Sequence, residues 1–196
     1  MFSDEPRFVL PWHDREQITI SWDTRGPLAG PFLMPVESQP VGAYARKWFN
    51  KQLDKLEDYL PFDFKVKKDN RPADIRLSVV GEIQLEGLEL GPNEYVSGLI
   101  IPNEGYHDLA LRFAPYTQQQ RHTALHELGH AFGLTHPGEG GADPNYTTAD
   151  TIMSYNVTNP SPWFRPADLQ RLQEIWGHDR KDIDPITGIR YNELPS

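Results

Sequence analysis

His126-Glu127-Leu128-Gly129-His130-Ala131-Phe132-Gly133-Leu134-Thr135-His136 brings three imidazoles, one carboxylate and a chain-turning glycine into eleven residues. On a helix, residues four apart lie one turn above each other on the same face, so His126 and His130 can share one metal ion. Glu127 is set about 100° further round the helix, within reach of a water on that ion without being a ligand itself. Gly133 can adopt φ > 0, ending the helix and swinging His136 back as a third ligand. Three protein ligands leave one position of a tetrahedral zinc site for water, the arrangement of a catalytic rather than a structural site.

A bare H-E-x-x-H can arise by chance on a solvated helix. Five defined positions over eleven residues ask for more, and the neighbours Ala124, Leu125, Leu128, Ala131, Phe132 and Leu134 make the segment apolar. The histidines are therefore expected on a buried helix, where converging imidazoles need a metal or a hydrogen-bond network.

Outward from this segment, 196 residues suit one domain, or one domain split by a cleft. A hydrophobic content of 38% with five Trp, eight Tyr and nine Phe points to a folded core. A net charge of −9 argues against nucleic acid, which needs a basic footprint. The absence of cysteine excludes disulfides, thiolate ligands and a cysteine cap on the metal. No apolar run is long enough to span a bilayer, and residues 1–8 show neither the basic nor the apolar region of a signal peptide. A mature fragment, export by another route and residence inside the cell all remain open.

Alternation in Gln17–Trp22 reads as a first strand. Pro27 to Pro40 is a Pro/Gly-rich connector. Val41, Tyr44, Ala45, Trp48, Phe49, Leu53, Leu56 and Leu60 recur at helical spacing between Pro40 and Pro61, predicting a long amphipathic helix with an aromatic stripe in the core. Further strands are expected at Phe62-Phe64-Val66, Ile75-Leu77-Val79, Tyr95 to Ile101 (ended by Pro102) and Leu109-Leu111-Phe113. That makes five. The metal-site helix should begin near Thr117, and a last helix should run from Pro166 to Trp176 with Gly177 as its stop. The acidic stretch Gly81–Gly91 is not assigned. His13, His107, His122 and His178 are not assigned; His122 lies one turn before His126 and could neighbour the metal, with a surface position as the default reading.

The pattern H-E-x-x-H-x-x-G-x-x-H, Pro137-Gly138 directly after the third histidine, and Thr151-Ile152-Met153-Ser154-Tyr155 together resemble the catalytic domain of a metzincin metallopeptidase. The chain is most similar to the serralysin group, over roughly Gln17 to Gly177, including the closing helix. The resemblance implies an α+β, zincin-like fold: a five-stranded, mostly parallel twisted sheet with a long helix and the zinc helix, above a small irregular lower part. The corresponding divisions are 1–16 as an N-terminal extension, 17–133 as an upper and 134–177 as a lower subdomain, and 178–196 as a tail.

Resemblance further implies zinc-dependent hydrolysis of peptide bonds, with His126, His130 and His136 as ligands and Glu127 as general base. Tyr155 corresponds to a tyrosine that can also bind zinc or stabilise the oxyanion; the other reading is a core aromatic near a turn. Met153 lies in a Met-turn beneath the metal. An extended peptide substrate is expected along Gly98, Leu99 and Ile100, and the loop Asn156–Trp163, with Val157 and Pro160, should wall the pocket beyond the scissile bond. The protein is expected to be a secreted monomer. Glu139, Asp143 and Asp150 are candidate calcium ligands, and Asp4, Glu5, His13 and Asp14 could touch the metal. The glycine- and aspartate-rich repeats that usually follow serralysin domains have no counterpart here. A peptidase restricted to one partner or to small peptides, and a non-catalytic module of the same fold, are the competing readings.

Overall fold

Side chains alternate along a strand, and in Ile75–Val80 at the centre of the sheet Ile75, Leu77 and Val79 enter the main core while Arg76, Ser78 and Val80 face the other way. The computed structural model describes residues 12, 15–30, 33–92, 94–138, 140–158 and 160–178. Its elements in chain order are β1 (Gln17–Trp22), β2 (Leu28–Gly30), β3 (Leu33–Val36), β4 (Ser38–Gln39), α1 (Ala43–Leu56), β5 (Asp63–Val66), β6 (Ile75–Val80), β7 (Gly98–Asn103), β8 (Tyr106–Leu111), α2 (Gln118–Ala131) and α3 (Pro166–Trp176).

The main sheet has the order β5-β1-β6-β8-β7. The first four of these strands run parallel and β7 is antiparallel to β8. β4 pairs antiparallel with the end of β6, Ser38 opposite Val80, making the sheet six-stranded. The result is a mixed α/β fold with a mostly parallel sheet and three helices among the described residues.

One face of the sheet meets the helices. Ile18, Ile20, Trp22, Leu77, Leu109 and Ile100 pack against Phe49, Leu53 and Leu56 of α1 and Leu125, Leu128 and Phe132 in and after α2. Burying each such side chain contributes about 1.5–3 kcal/mol. The other face carries a smaller cluster of Leu28, Leu33, Val80, Ile83, Ile101 and Ala110, covered by the β2–β3 hairpin.

Several expectations need correction. Among the described residues there are eight strands rather than five, because β2, β3 and β4 form within the expected connector 27–40. β7 passes through Pro102 to Asn103, which an edge strand tolerates because the missing N–H faces no partner. β8 starts at Tyr106 and ends at Leu111, leaving Phe113 exposed. α1 is shorter than 41–60, and Tyr44 leaves the core to stack on Tyr116 at 6.2 Å. The unassigned stretch 81–91 contributes Leu85, which bridges to Leu33. No helix among the described residues is long and apolar enough to cross a membrane.

His122 is buried, at 4% exposure, contrary to its default surface placement; the unassigned His107 is buried too, at 2%, whereas His178 is exposed. His13 lies outside the described residues. His107 packs on Trp12 at 5.2 Å and its Nδ1 is 3.0 Å from the Tyr106 carbonyl. Burial lowers its pKa below the ordinary 6.5, against the opposing pull of that carbonyl and of Asp108. The unfolded chain therefore takes up a proton near pH 6.5 that the folded chain refuses. The corresponding stability is present above about pH 6.5 and is lost as pH falls below it. Urea unfolding at a series of pH values should show stability dropping from pH 7 to 5, with a shallower slope in His107→Gln. An unchanged slope would rule His107 out as a contributor.

Candidate metal centre

Thr117 starts α2 with a reciprocal cap. Its hydroxyl accepts from the Gln120 N–H at 3.2 Å, and the Gln120 side chain accepts from the Thr117 N–H at 2.9 Å. The helix ends at Gly133, whose φ of 90° lets the Leu134 N–H reach back to the Gly129 carbonyl at 2.9 Å. That turn returns the chain so that His136 faces the two helical histidines. The same turn presents the Leu134 carbonyl to His130 Nδ1 at 2.8 Å.

His126 Nδ1 is likewise held, 2.9 Å from the Ile152 carbonyl. With both Nδ1 atoms donating to carbonyls, His126 and His130 carry their lone pairs on Nε2. Those lone pairs converge on His136 Nε2, at 3.2 Å from His126 and 3.0 Å from His130. One ligand atom from each of the three rings lies within 4.8 Å of the others. Burial, with the neighbouring His130 and His136, pushes the His126 pKa well below 6.5 against the pull of the Ile152 carbonyl. A buried neutral imidazole is the form that binds a metal. The donor set therefore fits a cation: three ring nitrogens converge, and the carbonyls at Nδ1 of His126 and His130 turn their Nε2 lone pairs towards the common point.

Glu127 is 7% exposed, and burial pushes its carboxyl up to about 8. A nearby dication favours the ionised form and opposes that shift. Tyr155 is not a core aromatic. It is 54% exposed, with its ring 4.3 Å from His136 and stacked at 5.6 Å on His126. Met153 is fully buried against α2: a Cβ placed on Gly129 would come within 2.9 Å of its sulfur. Gly129 thus allows the thioether to lie directly on the helix between the two ligand positions.

Of the expected substrate residues, Gly98, Leu99 and Ile100 lie on β7, the edge of the sheet beside α2. Val157 is exposed in the loop that follows Tyr155. Pro160 is tied to the start of α2 through its carbonyl, which accepts from Gln118 Nε2 at 2.5 Å. Among the described residues the candidate calcium ligands belong to no group that could hold a metal. Asp143 accepts from Asn145, Asp150 accepts from Thr147, and Glu139 is outside the described residues. Among the described residues the three histidines are the only grouping found that could hold a metal. Asp4, Glu5, His13 and Asp14 also lie outside the described residues.

Sequence reasoning missed Asp168. It is fully buried under the site, where Oδ1 accepts from the Thr151 hydroxyl and Oδ2 from the N–H groups of Ile152 (2.9 Å) and Arg165 (2.8 Å). It therefore clamps the peptide group of residues 151–152 just ahead of the Ile152 carbonyl that orients His126. The local signal was an acid at the third position of α3, which reads only as a helix cap.

Fold and site together define a mixed α/β protein with a three-histidine cluster able to bind a metal ion. No known protein-family model matches the chain, and no curated protein matches it in sequence.

Proposed function

We propose that this protein is a zinc-dependent endopeptidase with a zincin-like, metzincin-type catalytic domain similar to the serralysin group. The observation that carries the reading is the convergence of three Nε2 atoms with a buried carboxylate one residue from the first of those histidines. Zinc is favoured by the all-imidazole donor set. Nitrogens bound to a tetrahedral zinc at about 2.0–2.1 Å lie roughly 3.3 Å apart, close to the 3.2 and 3.0 Å of two pairs here.

When bound, the ion lowers the pKa of a water to about 7 and polarises the scissile carbonyl. Glu127 takes the proton of the attacking water on a carboxylate oxygen and returns it to the leaving amine. The Tyr155 hydroxyl, exposed above the His126 and His136 rings, donates to the carbonyl oxygen as negative charge develops there. The free edge of β7 offers backbone groups to an extended peptide, and the loop with Val157 and Pro160 walls the side beyond the scissile bond. Met153 packs the floor and takes no part in proton transfer.

Purified protein is expected to contain about one zinc per chain, to cleave unfolded casein, to stop after dialysis against a chelator and to resume on adding zinc. Metal removal should also lower the unfolding temperature, because the ion binds the folded chain alone. Casein cleavage that survives complete zinc removal would end this assignment. A digest of a mixed peptide library distinguishes a broad endopeptidase from one that accepts a single motif.

A further inference from the structure

Gly98 sits at a strand position where a glycine needs a reason. Side chains alternate along β7: Leu99 and Ile101 pack in the small cluster on one face, while Ile100 packs in the main core on the α2 face. Residue 98 shares the face of Ile100 and so points towards α2. A Cβ built there would lie 2.5 Å from Glu127 Cγ, 2.7 Å from its Oε1 and 2.8 Å from its Cδ. The φ of Gly98 is not in the left-handed range, so space rather than backbone freedom demands the glycine. The nearest atom is Cγ, which is only two bonds from the helix backbone. Glu127 could avoid the clash only by changing χ1, and a helix restricts that choice.

We propose that Gly98 is a positioning residue for Glu127. By presenting bare backbone, β7 closes over the carboxylate, fixes its rotamer and screens one side of it from solvent. This inference rests on the peptidase reading above for its kinetic consequence, but not for the contact itself. A residue that merely lines the substrate path would act on peptide binding whether or not Glu127 is present. A residue that seats Glu127 acts only through it.

The test is a double-mutant cycle between Gly98→Ala and Glu127→Ala on the full chain, read by thermal unfolding, by zinc content and by kinetics on one peptide. Overpacking of this kind should lower Tm by about 3 °C or more when Glu127 is present, and by less than half as much in the Glu127→Ala background. Zinc content should equal that of the wild type. Gly98→Ala should reduce kcat about tenfold or more with KM little changed, and should leave the residual rate of Glu127→Ala unaltered. Should Gly98→Ala alone fail to fold, recovery of folding in the double variant supports the contact, and failure of both overturns it. Equal Tm losses in the two backgrounds, an unchanged kcat, or a raised KM that persists without Glu127 would each overturn the proposal. If the wild type cleaves no peptide, the peptidase reading fails while the Tm cycle still decides whether Gly98 seats Glu127.

Discussion

Glu127→Gln is expected to retain its full complement of zinc, to fold as the wild type does and to lose about 10²–10⁴-fold in kcat. The substitution keeps side-chain volume and shape, so the close fit against Gly98 is preserved. On the proposed peptidase mechanism it removes only the ability of the side chain to accept a proton from water and hand it on. The candidate ligands His126, His130 and His136 are untouched, which separates lost proton transfer from lost metal. The carboxylate is buried, and burial is what pushes its pKa up to about 8. A neutral amide escapes that penalty, so Tm should be equal to or above that of the wild type. Steady-state kinetics with elemental analysis of the same sample checks all three points. A Gln variant that cleaves at the wild-type rate would remove Glu127 from the mechanism.

Asp168→Ala is expected to be the most damaging single change outside the metal ligands. Three donors, the Thr151 hydroxyl and the N–H groups of Ile152 and Arg165, lose their shared acceptor in a fully buried place. Leaving each buried donor unsatisfied costs about 1–3 kcal/mol, so a loss of about 3–5 kcal/mol is expected, a large share of the roughly 5–15 kcal/mol of a typical domain. The effect should also reach the metal. The peptide group held by Asp168 leads directly to the carbonyl that accepts from His126 Nδ1. Losing such an outer-shell support typically weakens metal affinity by about 10–100-fold. Urea unfolding measures the first consequence, and zinc competition against a chromogenic chelator measures the second. Asp168→Asn retains one acceptor oxygen and should fall between Ala and wild type. Wild-type zinc affinity in a folded Ala variant would disconnect Asp168 from the site.

Elements whose signals lie in neighbouring residues were legible in the chain. The ends of α2 and α3 follow from Thr117, Gly133, Pro166 and Gly177, each acting within one turn of itself. β1 and β6 follow from alternating or continuous apolar residues. The short strands β2, β3 and β4 were not legible: β2 and β3 pair only with each other, and the partner of β4 lies elsewhere, Ser38 pairing with Val80, 42 positions further on. Pro102 marked an end where the chain in fact continues, since only the free edge of β7 makes a missing N–H harmless. His122 defaulted to the surface and His107 went unassigned because polarity suggests exposure when the surroundings are unknown.

The amino-acid order alone determined the spacing of His126, Glu127, His130 and His136, because helical rise and one glycine turn are local geometry. It determined nothing of what holds those groups in place. The Ile152 carbonyl on His126, Asp168 beneath it, Met153 against Gly129 and bare Gly98 over Glu127 are contacts between segments 16 to 29 residues apart in the chain. Packing chooses such partners through shape and unmet hydrogen bonds, and neither quantity exists until the chain has folded.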